Sequence, residues 1–184
     1  VELVENLPVM KVQSATDLFN DTYLSKQWHY YNQGNIVTGL QVGCDINVLP
    51  AWEKGVKGKD NVVVAVIDSG VDLDHEDLKD NIWTGYDENG NAIHGYDFVY
   101  NSYLIDGNDH GTHVAGTIAG NGHILGVAPK SKLLILKVLN KYGNGNITSI
   151  INAVNYAVKQ KVDIISMSLG CPTDMTQLKI AIEN

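Results

Sequence analysis

The feature that most restricts how this chain can fold is the run Asn-Val-Val-Val-Ala-Val-Ile-Asp at residues 61–68. A β-branched stretch with no polar alternation has no face to offer water, so it predicts a strand buried on both sides. Lys132–Leu139 (KLLILKVL) repeats the pattern, and Val162–Gly170 (VDIISMSLG) predicts a third strand. The segments beside these strands read as helices. HGTHVAGTIAG at 110–120 predicts a helix of small residues. NITSIINAVNYAVKQ at 146–160 places Ile147, Ile150, Ile151, Val154 and Val158 at helical spacing, and TDMTQLKIAIEN at 173–184 predicts a last helix. Strands alternating with helices imply right-handed crossovers and a parallel sheet covered on both faces. The expected class is α/β.

The first third is less regular. VELVENLPVMKV predicts a strand and an extended segment broken by Pro8. NDTYLSKQWHYYNQGN at 20–35 is polar, aromatic and irregular, and is expected to lie over a surface. INVLPAWEKG predicts a short helix interrupted or started by Pro50.

Composition removes several function classes. Hydrophobic residues make up 44% and charged ones 18%, which suits a packed globular chain rather than a disordered one. The net charge of −8 leaves no basic stripe for nucleic acid or for an anionic membrane surface. No apolar run is long enough to span a bilayer. Cys44 and Cys171 could form at most one bridge, so they are no disulfide framework.

In parallel sheets the working groups gather at the carboxyl ends of the strands. Asp68 ends the first strand, and a carboxylate leaving a dry strand needs a partner for its charge. It reads equally well as a turn former, since Asp-Ser-Gly is good turn chemistry. His110 opens the helix that should pack nearby. Gly116 and Gly120 each cost that helix about 1 kcal/mol relative to alanine, which fits a helix lying very close to the sheet and holding His110 in place. A base held there needs a carboxylate to fix its tautomer, and Asp68 meets that need. The competing metal reading rests on His110 and His113 with Asp109 adjacent. Zinc metalloproteases place their histidines at i and i+4 with a glutamate between, and this run has neither. No metal site is expected.

Together VVVAVIDSGVDLDHEDL, DGNDHGTHVAGT, GVAP and ISMSLG resemble the subtilases, the subtilisin-like serine proteases. The resemblance runs from about Asn20 to the C-terminus, with the acid before the base as in subtilisins. It implies a serine endopeptidase with Asp68 as catalytic aspartate and His110 as general base. It implies that Ser168, Leu169 and Gly170 form the strand that pairs with substrate, and that Gly143, Asn144 and Gly145 form the opposite strand of the same cleft. Leu139, Ile147, Ile150 and Leu169 match the pocket for the fourth residue before the scissile bond. The substrate would be an extended polypeptide held by strand addition.

The resemblance also defines what is missing. The family's serine lies in a Gly-Thr-Ser motif far downstream, and its oxyanion-hole asparagine in an Ala-Gly-Asn-like motif after the next strand. Neither motif is expected within these 184 residues. Residues 20–184 therefore resemble the N-terminal portion of a catalytic domain, inactive without its C-terminal half. Residues 1–19 resemble the end of an inhibitory propeptide, as in a zymogen. The alternatives are a non-catalytic subtilase-like pseudoenzyme or peptide-binding module and, third, a metal-dependent hydrolase.

No cofactor is required by this chemistry. Asp21 and Asp77 match carboxylates that help bind calcium in some members. The loop Gly120–Gly126 is shorter than the calcium loop of many relatives, and too few carbonyls remain for the six to eight oxygens that the ion takes. The expected partners are a polypeptide substrate, the propeptide and the C-terminal half. The resemblance implies a secreted or cell-envelope location; no signal pattern is visible.

Overall fold

The computed structural model describes residues 21–34, 39, 41–171 and 175–183. The strand expected in residues 1–12 and the propeptide-like segment 1–19 lie outside the described residues. The apolar runs form the strands β1 (Val63–Asp68) and β5 (Lys132–Lys137), with the short β6 (Ile164–Ser166) beside them. Between β1 and β5 come β2 (Gly85–Tyr86), β3 (Ala92–Ile93) and β4 (Gly95–Asp97). The main sheet runs β4-β5-β1-β6, and every pair in it is parallel. β2 and β3 make a separate antiparallel hairpin. Neither the hairpin nor the edge strand β4 was expected, because strands of two or three residues leave no periodic signal in a sequence.

The pleat of β1 and β5 sends alternate residues to opposite faces. Val64, Val66, Leu133 and Ile135 pack beneath α2 (Asp109–Ala119), against Ala115 and Ala119. Ala65, Ile67, Leu134 and Leu136 pack on the other face against Ala153, Val154 and Ala157 of α3 (Ile147–Lys159). Each fully buried Leu or Ile here contributes about 1.5–3 kcal/mol of transfer free energy. The last helix, α4 (Thr176–Glu183), lies beside α3.

The face of α3 differs from the expected stripe. Ser149, Ala153, Val154 and Ala157 are its buried residues, while Val158 is 57% exposed. Small side chains let the helix approach the sheet closely, so the contact centres on them and Val154, with Ile150 packed at its border.

The aromatic segment is more than a covering. Leu24 and Tyr30 are buried with Leu49, Trp52 and Leu125 in a third apolar cluster. Leu49 and Trp52 belong to α1 (Leu49–Glu53), which Pro50 helps to start because its missing N–H falls in the first turn, where no helical partner is needed.

Candidate active site

β1 delivers Asp68 to the carboxyl edge of the sheet, where its side chain is 1% exposed. Oδ1 accepts the backbone N–H of Ser69 at 2.6 Å and meets Nδ1 of His110 at 2.8 Å. Because a carboxylate oxygen accepts, Nδ1 carries the proton in this pair. Oδ2 is buried and has no hydrogen-bond partner among the described residues. Burial of Asp68 away from water strengthens its attraction for the imidazole N–H. The ring of His110 is 57% exposed, and its other nitrogen, Nε2, is left for the cleft that the ring lines.

Three neighbours fix this geometry. Asn108 caps α2: its Oδ1 accepts the N–H of His110 at 3.3 Å and the hydroxyl of Ser69 at 3.1 Å. Ser69 Oγ in turn accepts the N–H of Gly111 at 3.1 Å. Glycine is required at 111, since a Cβ there would collide with the carbonyl of Gly70 and approach Asp68 Oδ1 to 3.3 Å. Lys137, paired with Asp68 across the β1–β5 ladder, is 1% exposed. Its ammonium donates to the carbonyl of Ser69 and pairs with Asp106 Oδ1 at 3.2 Å. The turn bearing the acid and the loop leading to the base are thereby tied to one buried cation.

Beyond His110 lies an open cleft of about 680 Å3. Gly143, Asn144 and Gly145 line it, as do Ser168, Leu169 and Gly170, and so do Leu139, Ile147 and Ile150. All nine residues expected to contact substrate therefore border the same space as the histidine. One wall is a tight loop: Leu139 bridges Gly145, Asn140 N–H donates to Asn144 O at 2.8 Å, and Gly143 N–H to Asn140 O at 2.9 Å. The opposite wall continues directly from β6, which the sheet order places at an edge. Asn108, Met167, Cys171, Met175 and Leu178 complete the lining. Met167 and Lys137 lie at the strand ends where working groups are expected to gather; sequence reasoning missed the others, along with Ser69, and of these only Asn108, an asparagine just ahead of a helix, carried a readable signal.

His113 opens instead onto a separate cleft of about 620 Å3 shared with Asp72, His75, Asp77 and Asp109. The two histidines thus face different spaces. Among the described residues no group of three or more His, Cys, Asp or Glu is placed to hold a metal ion. An Ala-Gly-Asn triplet does occur, at 119–121, but it closes α2 at the end opposite His110, roughly 14 Å along the axis. Its Asn121 N–H donates to Asp77 O, far from any oxyanion near His110.

An acid at a strand end, a ring at a helix start and an extended two-walled cleft thus share one edge of the sheet. The family model for the subtilase family matches residues 59–184, and the chain belongs to that family. It is 48% identical over 165 residues to the major intracellular serine protease of Bacillus subtilis (strain 168), covering 80% of this chain and 49% of that protein. It is 46% identical over 155 residues to an intracellular serine protease of Paenibacillus polymyxa, covering 80% of this chain and 44% of that one. The crystal structure of a cold adapted subtilisin-like serine proteinase superposes with a TM-score of 0.56 at 33% identity, over 67% of this chain and 42% of that one. The chain thus spans about half the length of the relatives it matches. Both named relatives are intracellular by description, so family membership does not carry the expectation of a secreted or cell-envelope location to this chain.

Proposed function

We propose that these residues are the acid-and-base portion of a serine endopeptidase, and that the nucleophile and oxyanion hole come from outside them. The observation that carries this reading is the 2.8 Å contact between Asp68 Oδ1 and His110 Nδ1, with His110 lining a cleft bordered by both substrate walls. Asp68 holds the ring with Nδ1 protonated, so Nε2 is the nitrogen free to take a proton from an attacking hydroxyl. The imidazolium so formed lies beside a buried carboxylate, which stabilises it. The same nitrogen then returns the proton to the leaving amine, and a second cycle with water releases the acyl group.

A peptide lying between 143–145 and 168–170 would be held extended by main-chain hydrogen bonds, with Leu139, Ile147, Ile150 and Leu169 receiving a side chain. The partner is accordingly a polypeptide. No Gly-Thr-Ser motif occurs in these 184 residues. Residues 1–184 alone should therefore leave a fluorogenic peptide uncut, while the whole protein should cut it and His110→Ala should abolish the cutting. Turnover by the isolated 184 residues that depends on His110 would refute the division of labour. A whole protein that binds peptides in this cleft without cutting them would favour a pseudoenzyme.

A further inference from the structure

The far end of α2 is built around the two acids, Asp21 and Asp77, that match calcium-binding carboxylates in some subtilases, and here their surroundings have the wrong polarity for an ion. Calcium needs oxygens converging on a common point. What converges on these carboxylates is a set of N–H groups. Gly122 N–H donates to Asp21 Oδ1 at 3.1 Å, and His123 N–H donates to Asp77 Oδ1. Asn121 N–H is turned to the backbone carbonyl of Asp77 at 2.9 Å. Gly122 packs so tightly that a Cβ would collide with Asp77 Oδ1. The short loop has moved into the space that an ion would need.

The carbonyls of the same loop point the other way. His123 O accepts Tyr23 N–H at 2.7 Å. Leu125 O accepts Gln27 Nε2 at 2.8 Å and the Tyr30 hydroxyl at 2.7 Å, while Leu125 N–H donates to Gln27 Oε1 at 2.9 Å. The single amide of Gln27 thus satisfies both backbone groups of Leu125, as a neighbouring strand would. Burial pushes the Tyr30 hydroxyl up to about 12, so it remains a donor at any ordinary pH. Leu125 itself is fully buried against Leu24, Tyr30, Leu49 and Trp52.

We infer that residues 21–30 act as a protein-encoded substitute for calcium at this position: a strap whose donors take the loop's carbonyls while the loop's N–H groups hydrogen-bond Asp21 and Asp77. The strap anchors the C-terminal end of α2, because Gly126 N–H returns to Gly120 O and Ala128 N–H to Ile118 O. The inference concerns stability, and it stands or falls independently of the catalytic reading.

The test is thermal unfolding of the whole protein in calcium and in excess chelator, for the wild type, Gln27→Ala, Tyr30→Phe and Asp21→Asn. Gln27→Ala should lower Tm by roughly 4–6 °C in both media, because the Leu125 N–H loses its partner and the Leu125 carbonyl keeps only Tyr30. Tyr30→Phe should lower it less, since Gln27 still serves the carbonyl. Any response to calcium should be equal in wild type and Asp21→Asn, as the site is already filled by amides. A stabilisation by calcium present in the wild type and lost in Asp21→Asn would overturn the inference. So would a Gln27→Ala protein with the Tm of the wild type.

Discussion

The two ends of α2 are organised differently. At its start, side chains bond to one another as well as to backbone: Asp68 meets His110 and Asn108 meets Ser69, while Asp68 and Asn108 also accept the N–H groups of Ser69 and His110, at the mouth of a cleft. At its finish, side chains serve backbone: Gln27 and Tyr30 hold Leu125, and Asp21 and Asp77 hold Gly122 and His123. One end orients a reactive ring that stays more than half exposed. The other fixes a buried leucine. A helix can therefore be anchored for stability at one end and poised for chemistry at the other, and substitutions should separate the two.

The largest separation should come from His110→Ala. Turnover by the whole protein should fall roughly 10⁴-fold or more, while Tm moves little because the ring is exposed. Asp68→Asn should lose turnover on a similar scale, through the wrong tautomer. A variant at either position that keeps more than a tenth of the wild-type kcat would break the comparison at its catalytic end.

Two glycines sharpen it. Gly111→Ala forces a methyl onto the carbonyl of Gly70 and next to Asp68, and such overpacking typically costs about 1–3 kcal/mol. Both Tm and kcat should drop. Gly122→Ala forces a methyl onto Asp77 at the far end, so Tm should drop by a comparable amount with kcat/KM retained at temperatures where the protein is folded. If both variants lose activity in proportion to stability, the ends are not independent.

The sheet was legible because β1 and β5 are apolar on both faces, a pattern with few alternatives. The pair Asp68 and His110 was legible because topology brings strand ends and helix starts together. The buried face of α3 was read only in part: Val154 and Ile150 pack as expected, but alanine and serine do the rest, and a search for large apolar residues passes over them. The strap was illegible for a deeper reason. Gln27 and Tyr30 lie 98 and 95 residues from Leu125, and they bond to its backbone, which every residue shares. No residue type at position 125 could have announced the contact.

A smaller effect is expected in the cleft. Leu139, Ile147, Ile150 and Leu169 would bury a Leu or Phe side chain for about 1.5–3 kcal/mol, or roughly ten- to a hundredfold in specificity. Ile150→Trp should shift the preference four residues before the cut towards small side chains and spare substrates that already carry alanine there. A peptide-library profile that is flat at this position, and unchanged by the tryptophan, would show the pocket unused.

The smallest effect concerns Asp21. Burial, with the charge of Asp77 adding to it, raises its carboxyl above the ordinary 3.8, against the lowering by the Gly122 N–H. A carboxyl raised in the folded state stabilises the fold below its unfolded value, and that contribution is lost as pH rises through the folded value. At neutral pH the charged form is therefore a small burden, discounted because the group is still partly exposed to solvent. Asp21→Asn, which keeps an acceptor for Gly122, should raise Tm by about 1–2 °C at pH 7. The gain should vanish below about pH 4. A Tm that falls at pH 7 would mean that the negative charge itself is needed.

The buried ammonium of Lys137 also gives the molecule an internal clock. An amine acylates only when unprotonated and in contact with reagent, and Lys137 is shielded beneath the turn that carries Asp68. Surface lysines such as Lys54, Lys130 and Lys141 should react within minutes under mild labelling. Lys137 can react only when the corner between β1 and the loop before α2 comes apart, so its labelling rate, followed by mass spectrometry, measures how often the acid and base lose their alignment.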